Sequence, residues 1–230
     1  MQKNKPVHPP MDQFAVVDDC LQVGGQPITR LVERAGGTPF YVYDRQVINE
    51  RVDLLRRSLP AELHLHYAIK ANPMPALVQH MAGLVDGFDL ASVGEMRVAL
   101  DTPMPADKIS FAGPGKRPEE LDAAVAAGIV VNLESETEMQ RLADSGARLG
   151  LQPKAAIRVN PDFELKASGM KMGGGPKQFG IDAERVPEVL QRFRDLDLAF
   201  HGFHIFSGSQ DLRAEAIIEA TTRPSNLPPG

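Results

Sequence analysis

Six short apolar segments with the period of β-strands fall at residues 63–70, 87–92, 109–114, 129–135, 154–160 and 198–207, and helical spacing fills most of the gaps between them. Strands separated by helices pair in parallel, because a crossover helix returns the chain to the same end of the sheet. The helical patterns are 75–81, 94–100, 118–125 and 136–142; prolines or acids stand in their first turns, where missing amide donors and the helix dipole favour them. A repeat of roughly 20 to 25 residues suits an eight-unit (β/α)8 barrel or an open doubly wound sheet. The number of strands, about six, falls short of the barrel's eight.

The ends of the chain break this pattern. Residues 1–10 are polar and proline-rich and read as a disordered leader before Met11. Residues 11–44 hold short strands at 14–17 and 21–23, a helix at 29–35 and an extended Pro-Phe-Tyr-Val-Tyr run at 39–43, which leads into a long helix at 45–58. At the far end a helix opens at 211–220. The tail at 221–230 cannot continue it, since its prolines remove amide donors and clash with the preceding turn. The expected organisation is therefore a leader, an N-terminal segment over 11–44, a barrel region over 45–220 and a disordered tail, with the architecture cut short.

A net charge of -5 gives nucleic acid or an anionic membrane nothing to attract, which leaves a small molecule as the expected partner. Cys20 is the only cysteine, so no internal disulfide can form and the cytoplasm is the expected compartment. No apolar stretch approaches the roughly 18 residues of a membrane span.

Lys70 ends the strand-like run Leu-His-Leu-His-Tyr-Ala-Ile, on the face expected to carry His64, His66 and Ala68. A lysine there is either an exposed strand-end charge or an amine whose deprotonated form captures a carbonyl as a Schiff base. Asp89 and Glu95 read equally as a strand end and a helix-start acid. Arg158, on an inward-capable strand position, needs a charge partner, for which Glu134 is one candidate. His64 and His66 have metal-like spacing, but nothing completes a metal site. The Gly-Gly-Gly-Pro run at 173–176 lacks the Gly-Lys-Ser/Thr ending of a nucleotide loop and reads as a flexible loop.

Seven motifs follow one another in order: Tyr-Ala-Ile-Lys-Ala-Asn at 67–72, Gly-Phe-Asp-Leu-Ala-Ser-Val-Gly-Glu at 87–95, Phe-Ala-Gly-Pro-Gly-Lys at 111–116, Asn-Leu-Glu-Ser at 132–135, Arg-Val-Asn-Pro at 158–161, Gln-Phe-Gly at 178–180 and Gly-Phe-His-Ile-Phe-Ser-Gly-Ser-Gln at 202–210. This order resembles the fold-type III pyridoxal-phosphate decarboxylases of the ornithine/diaminopimelate/arginine group, over residues 11–220, and within it most closely the branch associated with exosortase A systems. The resemblance implies an α/β fold, an alanine-racemase-like (β/α)8 barrel here cut off after about six strands, without the C-terminal β-domain. It implies pyridoxal 5'-phosphate as cofactor, a Schiff base on Lys70, and decarboxylation of an amino acid or a carrier-linked amino-acyl group. Asp89 would lie beside the lysine, and Glu95, Arg158, His204 and Phe206 would belong to the cofactor pocket. The hydroxyl and amide of Ser209 would hold the phosphate, in a Gly-Ser turn open to an anion. Family members carry a histidine that stacks on the cofactor ring where this chain has Phe206, so either Phe206 or His204 takes that place.

The same resemblance implies that a phosphate loop, a Glu-Pro-Gly-Arg strand end and the β-domain follow in family members, which pair as homodimers. The expectation from this chain is a truncated product or fragment. A catalytically inactive cofactor-binding or regulatory fragment is the alternative function, and a racemase on the same barrel is a weaker one.

Overall fold

Asp44, Ser92 and Ser135 each stand just before a helical pattern, and in the computed structural model each caps a helix with its side-chain oxygen. Such caps satisfy amide donors that the first helical turn leaves free, and so fix where each helix starts. The structure describes residues 12–161, 170–171, 178–206, 208–209, 214–215 and 218. The expected leader, the tail, the loop at 173–176 and most of the helix at 211–220 lie outside them.

The chain divides into two compact units, Met1–Leu63 and His64–Gly230. In the first, β1 (Val16–Val17), β2 (Cys20–Val23) and β3 (Gln26–Pro27) form an antiparallel meander. Asp18-Asp19 and Gly24-Gly25 turn with positive φ at both central residues, which matches the twist of a two-residue hairpin. Helix α1 (Ile28–Ala35) ends on the left-handed Gly36, and α2 (Arg45–Ser58) begins at Asp44. The Asp44 carboxylate also accepts the Gly24 amide at 2.9 Å, tying the hairpin turn to the start of α2. Sequence patterning assigns α2 to the barrel; it clusters with the first unit. The short strand β3 carries no sequence signal.

The second unit alternates β4 (His66–Ala68), α3 (Pro75–Met81), β5 (Gly87–Leu90), α4 (Val93–Leu100), β6 (Ile109–Phe111), α5 (Pro118–Ala127), β7 (Val130–Leu133), α6 (Glu136–Leu149) and β8 (Lys154–Asn160). There follow β9 (Met170–Lys171), β10 (Ile181–Asp182), α7 (Val186–Arg194), β11 (Ala199–Ile205) and β12 (Gly208–Ser209). Strands β4 to β8 pair parallel in sequence order, β11 and β10 both pair parallel with β8, and β9 pairs antiparallel with β12. All six expected strands are present in one parallel α/β sheet. The seventh, β10, has two residues, too few for a period to show.

Parallel sheets covered by helices bury both faces of their strands. Accordingly Phe88, Leu90, Ile109, Phe111, Val131, Leu133 and Ile157 are all buried, as are Val78 of α3, Leu121 of α5 and Leu142 of α6. One expectation is corrected here. The strand that was to carry Lys70 closes at Ala68, and Lys70 sits in a 3-10 turn, Ile69–Ala71. The Asn72 amide donates to the Ile69 carbonyl at 3.0 Å and the Tyr67 hydroxyl donates to the Asn72 carbonyl at 3.1 Å, which folds the chain over before the strand can extend. Lys70 therefore does not share a strand face with His66.

Candidate active site

In a parallel sheet the carboxyl ends of the strands, with the loops that leave them, form the natural crevice. Here they enclose a cavity of about 400 Å³ whose side chains include Lys70, Asp89, Arg158, Phe179, His204 and Phe206. Five of the seven residues singled out from the sequence are thus brought together, from the ends of β4, β5, β8 and β11. The Lys70 ammonium lies 5.5 Å from the Phe206 ring centroid, and among the described residues no carboxylate pairs with it. Phe206 and His204 both line the cavity.

Asp89 pairs in register with Ala68 on one side and Ser110 on the other. The Ser110 hydroxyl donates to Asp89 Oδ1 at 2.5 Å, the Asn132 amide donates to that hydroxyl at 3.3 Å, and His66 Nδ1 lies 3.8 Å from the carboxylate. Burial alone would raise the Asp89 carboxyl, but His66 and Ser110 hold it below its ordinary value of 3.8. A carboxyl lowered on folding contributes stability above its unfolded value, and that contribution is lost as pH falls through the folded value. Urea midpoints of the wild type should therefore fall from about pH 5 downward more steeply than those of Asp89→Asn; parallel profiles would show that the carboxylate gains nothing on folding.

His204 lies on β11 opposite Arg158. Its Nδ1 is buried and has no hydrogen-bond partner among the described residues. Burial, reinforced by the Arg158 charge, holds the imidazole below its ordinary value of 6.5 against the pull of Asp89 and Glu134.

Arg158 has the partner that the sequence offered as one candidate. Its Nη1 donates to Glu134 Oε1 at 2.7 Å, and its guanidinium carbon lies 4.9 Å from the Phe179 ring and 5.7 Å from the Phe206 ring. Arg158 thus both pairs with Glu134 and walls the cavity. Glu95 is engaged as a helix-start acid: it accepts the Ala91 amide at 2.8 Å and the Ser92 hydroxyl at 2.9 Å, while its own amide donates to the Ser92 side chain that caps α4. Both its oxygens are occupied, and it meets the cavity only through the rim at Ala91. The backbone of Ser209 lies in β12, and its side chain is outside the described residues.

Behind the cavity wall lies a buried charge network that reading the residues singly missed. Lys116, its side chain 1% exposed, donates to the carbonyls of Gly113 and Asn132 at 2.7 and 2.9 Å and to both oxygens of Glu138 at 3.1 and 3.2 Å. Glu138 also accepts the Glu134 amide at 2.8 Å. Burial pulls Lys116 down and pushes Glu138 up, against the attraction of the pair. The signal was present in the motifs at 111–116 and 132–135, which carry Lys116 and Glu134 into apolar surroundings.

Residues 45–227 match the family model described as pyridoxal-dependent decarboxylase, pyridoxal binding domain. The chain belongs to this decarboxylase family. Pyridoxal phosphate is the cofactor of the domain. The chain is 34% identical over 195 residues to L-glutamyl-[BtrI acyl-carrier protein] decarboxylase of Niallia circulans, covering 84% of this chain and 45% of that protein. It is 36% identical over 219 residues to diaminopimelate decarboxylase of Aquifex aeolicus, covering 91% and 50%. The crystal structure of diaminopimelate decarboxylase from M. jannaschii in complex with L-lysine superposes with a TM-score of 0.80 at 27% identity, covering 90% of this chain and 50% of that one. The chain spans about half the length of the curated relatives it matches. Among the described residues of this decarboxylase-family chain no helix is long and apolar enough to cross a membrane.

Proposed function

We propose that the cavity is the cofactor site, with Lys70 as its covalent anchor, and that the protein decarboxylates an amino acid or an amino-acyl group held on a carrier. The observation that carries this reading is the meeting of Lys70, Asp89, Arg158, His204 and Phe206 around one cavity at the strand ends. These residues fit the cofactor. The cavity lies within the usual size of small-molecule sites, and among the described residues Lys70 has no ion-pair partner and the buried Nδ1 of His204 lacks the partner that a polar ligand atom would provide. When bound, pyridoxal phosphate supplies an electron sink for the bond that breaks as carbon dioxide leaves.

The chain's own residues do the rest. Lys70 presents its amine at the mouth, Asp89 holds negative charge beside it, and Ser110 and Asn132 fix that carboxylate by hydrogen bonds. Phe206 and Phe179 supply flat apolar walls that exclude water, and in this reading Phe206 takes the ring-facing place for which it was weighed against His204. Gly208 and Ser209 would receive the phosphate, and Glu95 enters through the rim amide of Ala91. A carrier-linked or free amino-acid substrate is suggested by the two curated relatives, which act on a carrier-linked glutamyl group and on diaminopimelate. The homodimer and the cytoplasmic location implied by the resemblance and the single cysteine belong to the same proposal.

The test is to incubate the chain with pyridoxal phosphate, reduce with borohydride and map the label by mass spectrometry, following carbon dioxide release from diaminopimelate and from a glutamyl carrier protein in parallel. Label confined to the Lys70 peptide and absent in Lys70→Arg is the expected result. Label spread over surface lysines, unchanged in Lys70→Arg, would overturn the anchor. Label on Lys70 without release from either substrate would favour the cofactor-binding reading without catalysis.

A further inference from the structure

We infer that Glu134 is a positioning residue of the cofactor pocket, fixing Arg158 and two segments of the pocket's rim through one buried carboxylate. The inference rests on the reading of the cavity as the cofactor site. Glu134 follows β7 directly, its side chain is 2% exposed, and it does not line the cavity. Its Oε1 accepts both the Arg158 guanidinium and the Gly113 amide at 2.7 Å, and its Oε2 accepts the Gly180 amide at 2.9 Å. Gly113 and Arg158 line the cavity, and Gly180 directly follows Phe179, which lines it too. One side chain thus sets the loop after β6, the end of β8 and the approach to β10.

Each partner needs this acceptor. Arg158 is buried between two phenylalanine rings that offer no acceptor, and among the described residues Glu134 is the carboxylate paired with it. A guanidinium left there alone would be a buried, uncompensated charge, free to turn toward the cavity. Gly180 has a φ of +74°, and a Cβ on it would lie 3.1 Å from the Arg158 carbonyl, so this segment rests on β8 with no side chain to hold it. The Glu134 carboxylate is itself fixed from behind, because its own amide donates to Glu138, which Lys116 anchors. A glutamine of the same shape cannot take over: its NH2 group would face a donor on one side or the other.

The experiment is a double-mutant cycle with two readouts. In the cofactor-free chain, the NMR signal of the Arg158 guanidinium, assigned by its loss in Arg158→Met, should be sharp and slow to exchange. It should collapse toward the solvent-averaged position in Glu134→Gln while the rest of the spectrum is kept, and partly recover in Glu134→Asp. An Arg158 signal unchanged in Glu134→Gln overturns the inference. Should that variant not fold, Glu134→Asp decides, a shifted signal supporting and an unchanged one overturning it. In the second readout Glu134→Gln should weaken pyridoxal phosphate binding by about tenfold, the lower end of what loss of an outer-shell partner costs, and add almost nothing in the Arg158→Met background. Additive losses would mean that Glu134 does not act through Arg158, and would overturn that part. A wild-type chain that takes up no pyridoxal phosphate would sink the cofactor reading alone, since the guanidinium signal still decides whether Glu134 positions Arg158.

Discussion

Lys116→Met lowers the unfolding free energy by about 3–5 kcal/mol, the cost of leaving one member of a buried ion pair without the other. The methylene stem could be replaced with little change in packing, so the loss lies at the ammonium. Removing it strips the donor from two backbone carbonyls and from both oxygens of Glu138, whose side chain is 7% exposed. Among the described residues, the Glu134 amide then remains as the donor to that carboxylate. Burial already pushes Glu138 toward its neutral form, and Lys116 is the opposite charge that counters that push. Replacing both members, Lys116→Met with Glu138→Gln, should recover part of the loss, because the second change removes the stranded charge while keeping an acceptor for Glu134. Urea denaturation of the four species measures both effects. A single-variant loss below about 1 kcal/mol would place the pair with exposed ion pairs, which contribute no more than that.

Gly87→Ala should cost at least about 3 kcal/mol, above the usual range for overpacking. A Cβ at this position would lie 2.4 Å from the Lys108 carbonyl oxygen and 2.5 Å from His66 Cε1. The imidazole could swing away, but the carbonyl belongs to the backbone that leads into β6, so relief requires β5 and β6 to part where Phe88 pairs with Ile109. Those two residues are among the most deeply buried in the sheet. The bare glycine also makes room for the ring of His66, its register partner, which comes within 3.8 Å of Asp89. The substitution should therefore lower the denaturation midpoint and disturb the Asp89 environment together; an unchanged midpoint would show that the strands separate there at little cost.

Where pattern and length coincide, the chain declares its structure. Residues 154–160 form one strand and 45–58 one helix with the limits their spacing predicts, because seven apolar-rich or fourteen amphipathic residues leave little choice of period. Two-residue strands such as β3 and β10 have no period and exist only through their neighbours. The turn under Lys70 was misread because Tyr-Ala-Ile continues a strand pattern, while the bonds that end it involve a tyrosine hydroxyl and backbone groups. Helix α7 carries usable signals, Val186, Val189 and Phe193 at helical spacing with a proline in the first turn and a strand pattern after it at 198–207, but the two-residue β10 before it is too short to show a period.

The site shows the same division. Lys70, Asp89, Arg158, His204 and Phe206 could be named because side-chain chemistry is written in the sequence and the motifs fall at strand ends. The ion pair of Arg158 with Glu134 was legible as an option, since a buried guanidinium needs a counter-charge. The hold of Glu134 on Gly113 and Gly180 was not, because an amide donor carries no letter of its own. Glu95 shows the reverse case, a carboxylate whose partners are one backbone amide and one hydroxyl at its own helix start.

The 3-10 turn under Lys70 has a mechanical consequence. The ladder between β4 and β5 ends at Ala68 and Asp89, one residue before the turn begins. Swinging the lysine arm toward or away from an incoming molecule therefore breaks no interstrand bond. Ile69, fully buried, acts as a pivot, and the Tyr67 and Asn72 contacts act as a latch on the far side. The amine is mounted on a jointed bracket bolted to the sheet, and the arm beyond the joint is free of the ladder that holds the wall behind it.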